Sequence, residues 1–117
     1  MSAYQILEYK ADAYGVEFAI EYLRSQFAKK TDTVYIHQLE GVFLPMIIML
    51  YDADNIFDDT EKHPALLKRL VGIKRSLESS VDKATFSQVM LYTYSLMDIL
   101  GISTKMAAIK ASLKSAD

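Results

Sequence analysis

Apolar side chains recur at steps of three and four along nearly the whole chain, and strict alternation is absent. That period belongs to the α-helix rather than the strand. The densest stretch is Gly41 to Phe57, which opens with an unbroken apolar run from Val42 to Tyr51 and closes among carboxylates. Such a run must be covered by other segments, so it marks an expected centre of the fold.

The first helix is predicted from Ser2, where Ser2 and Gln5 have the spacing of a capping box. It carries two apolar stripes. Tyr4, Leu7, Ala11, Tyr14, Phe18 and Tyr22 form one, and Ile6, Ala13, Val16, Ile20, Leu23 and Phe27 the other. A helix apolar on two sides is covered on two sides, by its own domain or by a partner. Lys29 and Lys30 suit its C-terminal end, where the dipole favours cations. Thr31-Asp32-Thr33 reads as a turn and N-cap. Val34–Leu44 is then helical until Pro45, which kinks the helix or breaks it and restarts it near its own position.

Asp52, Asp54, Asp58, Asp59 and Glu61 read as a helix end and loop, with Asp58 to Thr60 capping the next helix. Pro64 is expected as the first residue of that helix, which carries Leu66, Leu67, Leu70, Ile73 and Leu77 on one face. Lys68, Arg69, Lys74 and Arg75 are expected on its other side. Ser80 or Asp82 caps a helix with Phe86, Val89, Met90, Thr93, Leu96, Met97 and Leu100 inward. Leu91, Tyr92, Tyr94 and Ile99 make its other sides apolar too, which predicts a second innermost helix packed on the first. Gly101 ends it, and Ser103 caps a final helix with Ile102, Met106, Ile109 and Leu113 inward.

The fold class expected is all-α: one domain, residues 1–117, a compact antiparallel bundle of five or six helices, one kinked or broken at Pro45. Composition agrees. Half the residues are hydrophobic and a quarter charged, which excludes a disordered chain. There is no cysteine, so disulfides, thiolate metal sites and cysteine nucleophiles are excluded. Lacking a signal-peptide pattern and a ~20-residue apolar span, the sequence predicts a cytoplasmic protein with no membrane association.

The acidic stretch is the first candidate for chemistry, since clustered oxygens suit Ca²⁺ or Mg²⁺. Laid on an EF-hand loop from Asp52, it fails. Phe57 stands where the turn needs Gly, Ile56 replaces an oxygen ligand, and His63 takes the place of the bidentate Glu. His37 and Glu40 share a helix face but make only one pair, too few for a metal site. The four glycines are isolated, so no phosphate-cradling loop is present. No cofactor, metal site or catalytic residue is therefore predicted.

Two basic elements raise nucleic-acid binding. One is the helix 64–78, with Lys68, Arg69, Lys74 and Arg75 available for phosphates. The other is Leu96 to Lys114, which resembles a helix-turn-helix and carries Lys105, Lys110 and Lys114. Against the second, Met97 stands where a small residue permits the tight crossing, and Lys110 where an apolar residue points inward. A net charge of −2 also argues against a nucleic-acid domain.

The first 57 residues carry four bases and eight acids, the rest nine bases and seven acids. Such halves can steer docking or neutralise each other within the fold. Eight tyrosines, five phenylalanines and six methionines give more apolar helix surface than a lone small bundle hides. The leading expectation is a non-enzymatic protein acting through protein-protein contact as a homodimer: an adaptor, inhibitor, immunity protein or small structural subunit. Its expected contact surface includes Tyr4, Tyr9, Lys68, Arg69 and Arg75. The alternatives are a nucleic-acid-binding small subunit, and a metal-dependent or acid-base enzyme built on residues 52–61.

Overall fold

The computed structural model describes residues 1–26, 33–53, 55, 58–60, 64–100 and 104–115. They form an all-α bundle of six helices: α1 (Ala3–Gln26), α2 (Thr33–Glu40), α3 (Leu44–Asp52), α4 (Leu66–Ser80), α5 (Lys83–Leu100) and α6 (Thr104–Ser115). All six contribute to one contiguous core, through side chains such as Ile20, Leu39, Ile47, Leu70, Val89 and Ile109.

The helix starts are set by local chemistry. Ser2 and Gln5 close the predicted capping box, each backbone N–H donating to the other's side-chain oxygen at 3.1 Å. Asp82 caps α5, accepting the Thr85 N–H at 2.8 Å and the Thr85 hydroxyl at 2.9 Å. These bonds hold the Asp82 carboxyl below its ordinary range. α4 begins two residues after Pro64, not at it. Asp59 acts there instead, accepting the Ala65 N–H at 2.7 Å and the Lys68 ammonium at 2.9 Å. The Lys68 bond, then the Ala65 bond, lowers the Asp59 pKa. The predicted caps Asp32 and Ser103 and the stop at Gly101 lie outside the described residues.

The helix breaks earlier than Pro45: α2 ends at Glu40, residues 41–43 form a turn instead of continuing the helix expected over Val34–Leu44, and α3 restarts at Leu44. The N–H groups of Gly41, Val42 and Phe43 donate to carbonyls three residues back, each at 3.1 Å. Gly41 fits this tight turn because an added Cβ would lie 3.0 Å from the Gln38 carbonyl oxygen. Pro45 then sits in the first turn of α3, where its missing N–H costs nothing. The window Thr33–Leu50 has a mean hydropathy of 1.4. Within it Tyr35, Ile36, Leu39, Phe43, Met46, Ile47 and Leu50 are buried in the protein's own core, while Val34, Leu44, Ile48 and Met49 are exposed.

The centre is not where the apolar pattern placed it. α4, not the pair α3 and α5, is the hub: it packs against α1, α3, α5 and α6, while α5 lies mainly on α2. The physical reason is that two of α4's charges, Arg69 and Lys74, are absorbed within the fold. Lys74, expected on an outer face, is 5 % exposed, and its ammonium donates to the Leu113 carbonyl at 2.8 Å. That carbonyl is one of the last four of α6, which have no acceptor role within their own helix. Conversely α5 is not apolar-buried all round: Leu91 and Ile99 face solvent.

The pairings give the helix directions. Asp98 binds Lys110 at 2.6 Å and Tyr94 lies under Lys114, so α5 and α6 run antiparallel. Gln5 reaches the Thr60 carbonyl before α4, and Arg24 donates to the Ser80 carbonyl at its end. The non-consecutive pair α1 and α4 therefore runs parallel.

Glu40 carries a pH effect. Burial raises its carboxyl above the ordinary 4.5, with the facing His37, 4.0 Å away, pulling the other way. The folded protein thus holds this proton to higher pH than the unfolded chain. The contribution is fully present below about pH 4.5 and is lost as pH rises through the folded value. Glu40→Gln should therefore gain on the native protein in melting temperature as pH is raised from 4 to 7. Equal differences at both ends of a melting series would show that Glu40 is not the source.

Candidate functional site

α1 is held inward by one face and leaves the other in water. Val16 and Ile20 are buried, and Tyr9, Asp12, Ala13 and Leu23 are half-buried. The Tyr9 ring lies against Gly72 of α4, where an added Cβ would meet it at 3.6 Å. Arg69 of α4 grips the same face. Its Nε and one terminal nitrogen each donate to Asp12 at 2.9 Å, and that nitrogen also meets Glu8 at 3.1 Å. The second predicted stripe is thus the inner one, with Ile6 at its exposed N-terminal end and Phe27 outside the described residues.

The first stripe faces outward along its whole length. Tyr4, Leu7, Tyr14, Phe18 and Tyr22 are 56, 61, 67, 73 and 57 % exposed. At 24 residues α1 is about 36 Å long. From Tyr4 to Tyr22 the seam runs about 27 Å, and a contiguous apolar, mostly aromatic seam of that length on a 117-residue protein is far more than scattered surface apolarity.

The predicted contact residues divide accordingly. Tyr4 belongs to the outer seam, whereas Tyr9 is turned inward. Tyr9, Lys68 and Arg75 do come together, lining a shallow groove of about 620 Å³ with Leu67, Val71, Gly72, Ser112 and Met1. Lys68 there is bound to Asp59, which raises the lysine pKa. Arg69 is taken up by Asp12 and Glu8, and Lys74 is buried.

Two lysines of α6 are also engaged. Lys110 is ion-paired to Asp98, and Lys114 stands 5.0 Å above the Tyr94 ring. Nothing is described of the Lys105 side chain. Met97 is fully buried, and the turn 101–103 of the supposed helix-turn-helix lies outside the described residues. Of these pairs only Arg69 with Asp12 and Glu8 joins the acidic first half to the basic second half, whereas Lys68–Asp59 and Lys110–Asp98 lie within the second.

In the acidic stretch, Asp58 and Asn55 hold each other, the Asp58 N–H and the Asn55 amide each donating at 3.2 Å. Asp54, Glu61 and His63 lie outside the described residues, among which no three His, Asp or Glu side chains converge. His37 stacks on Tyr92, ring centroids 4.2 Å apart. A second groove of about 330 Å³ lies where α2 meets α5, lined by Thr33, Ile36, Asp82, Thr85 and Tyr92 among others. Its one carboxylate there is the α5 cap.

No protein-family model, curated protein or solved structure matches the chain. Its site must be read from its own surface. Leu7, Tyr14, Phe18 and Tyr22 are not among the contact residues expected from the sequence. The signal for them is the presence of two stripes on one helix, of which a small bundle buries only one.

Proposed function

We propose that this is a non-enzymatic helical protein that acts by protein-protein contact, through the outer face of α1. The observation that carries this is the seam Tyr4, Leu7, Tyr14, Phe18 and Tyr22, more than half exposed at every position. Tyr and Phe are enriched at interface cores because they bring large, rigid contact area. The nucleic-acid reading draws less support, because Arg69, Lys74, Lys68 and Lys110 spend their donors on the chain itself.

Site-specific cross-linking tests the proposal. A photoreactive phenylalanine analogue replaces Phe18 in the cells that make the protein. A discrete protein adduct is expected at this position and not from the same analogue at Ser79, exposed near the end of α4. Absence of any adduct at Phe18 would sink the reading.

A further inference from the structure

We infer that the partner is a second copy of this chain, bound antiparallel, α1 on α1, with Tyr4 over Tyr22, Leu7 over Phe18 and Ala11 over Tyr14. This rests on the reading of α1 as the contact surface and names its occupant.

Three observations choose that occupant. The first is spacing. Positions 4, 7, 11, 14 and 18 step by three and four alternately, the seam of two helices wound on each other. Reversed on itself, the seam places a small side chain opposite a large one at its centre, Ala11 against Tyr14, and apolar against apolar outward to both ends. Such a two-fold contact is self-complementary.

The second is charge. One flank of the seam carries exposed Lys10 in its N-terminal half and exposed Glu17 and Glu21 in its C-terminal half. In an antiparallel pair like flank meets like flank, so Lys10 of each copy meets Glu17 of the other, twice by symmetry. A parallel pair would set Lys10 against the opposite flank, whose acid Glu8 is already bound to Arg69. Charges beside such a seam set partner and orientation.

The third is area. The five large side chains offer roughly 600 Å² per copy at their present exposure, most of the ~800 Å² that a stable interface buries on each side. Gly15 adds a detail. It sits mid-helix beside the seam, and an added Cβ there would meet nothing within 4 Å. The chain's own packing gives no reason for glycine at a position where it weakens a helix. Closely approaching backbones at the centre of the pair would.

Sedimentation equilibrium on the purified chain tests this. A dimer is expected in the micromolar range. Phe18→Glu should weaken it by about 30-fold or more while leaving the helical circular dichroism unchanged, since the ring is outside the core. Orientation is read separately, and cleanly, because the chain has no cysteine. The double variant Tyr4→Cys/Tyr22→Cys should form a covalent dimer on mild oxidation, and neither single variant should. Efficient cross-linking of the single variants means a parallel pair and overturns the inference. A purified chain that stays monomeric at 100-fold higher concentration than the expected constant overturns it too. If Phe18 still cross-links to a different protein in cells, contact through α1 survives and only the identity of the partner is lost. If neither association nor adduct is seen, both fail.

Discussion

Leu70→Ala is expected to destabilise the protein by about 2–5 kcal/mol, a large share of the whole stability of a domain this size. Leu70 is fully buried on α4, the helix that touches four of the other five. Truncation loses the transfer free energy of three carbons and leaves a cavity that surrounding helices cannot all close upon. The urea midpoint should fall with the slope unchanged, because the surface exposed on unfolding is nearly the same. Leu91→Ala on α5 is the control. That side chain is 57 % exposed, and its loss should cost well under about 1 kcal/mol. The reverse ranking would mean that α5, not α4, is the central helix.

That contrast also marks what the sequence could reveal. Local chemistry was readable. Ser2 with Gln5, Asp82 and Pro45 act through neighbours three or four residues away, so their spacing states their role. The core face of α4 and most of that of α5 could be read from period alone. Which helix is central was not readable, because hydropathy counts each charge as a cost of burial. Lys74 and Arg69 escape that cost through partners 39 and 57 residues away, at Leu113 and Asp12. No window along the chain contains both members of either pair. The candidate surface was half legible. Two apolar stripes on the first helix signalled that one had no place inside, but nothing local told which. Tyr9 and Phe18 look alike as residues. They lie on opposite sides of α1, and its docking on α4 through Arg69, Gly72 and the core residues Val16 and Ile20 turns Tyr9 inward and Phe18 outward.

Arg69→Ala is the second large effect, expected at about 2–4 kcal/mol. The guanidinium and its two carboxylates are all shielded, with side-chain exposures of 15 % for Arg69, 14 % for Asp12 and 27 % for Glu8. The fork geometry matches Asp12 at both oxygens, and this bond, against burial, raises the Arg69 pKa, so the group stays charged wherever the protein is folded. Removing it strands two like charges four residues apart on one helix face, partly desolvated and without their counter-charge. The cost lies in what is left behind more than in what is taken away. Arg69→Lys should recover only part, because a single ammonium cannot serve Asp12 bidentately and reach Glu8 as well. The triple variant Asp12→Asn/Glu8→Gln/Arg69→Met should recover most of the loss, since no charge then remains unpaired. A triple variant as unstable as Arg69→Ala would mean the arginine acts through packing alone. The same measurement bears on the outer seam, because this triad grips the inner face of α1. If α1 is free to turn once Arg69 is gone, Phe18 and Tyr14 lose their outward setting, and dimerisation should weaken in Arg69→Ala and stay weakened in the triple variant, which regains stability but not the fork. Sedimentation of the three variants beside their urea curves separates the two effects. Association that is unchanged in a destabilised but folded Arg69→Ala would show that α1 is held in rotation by Val16 and Ile20 alone.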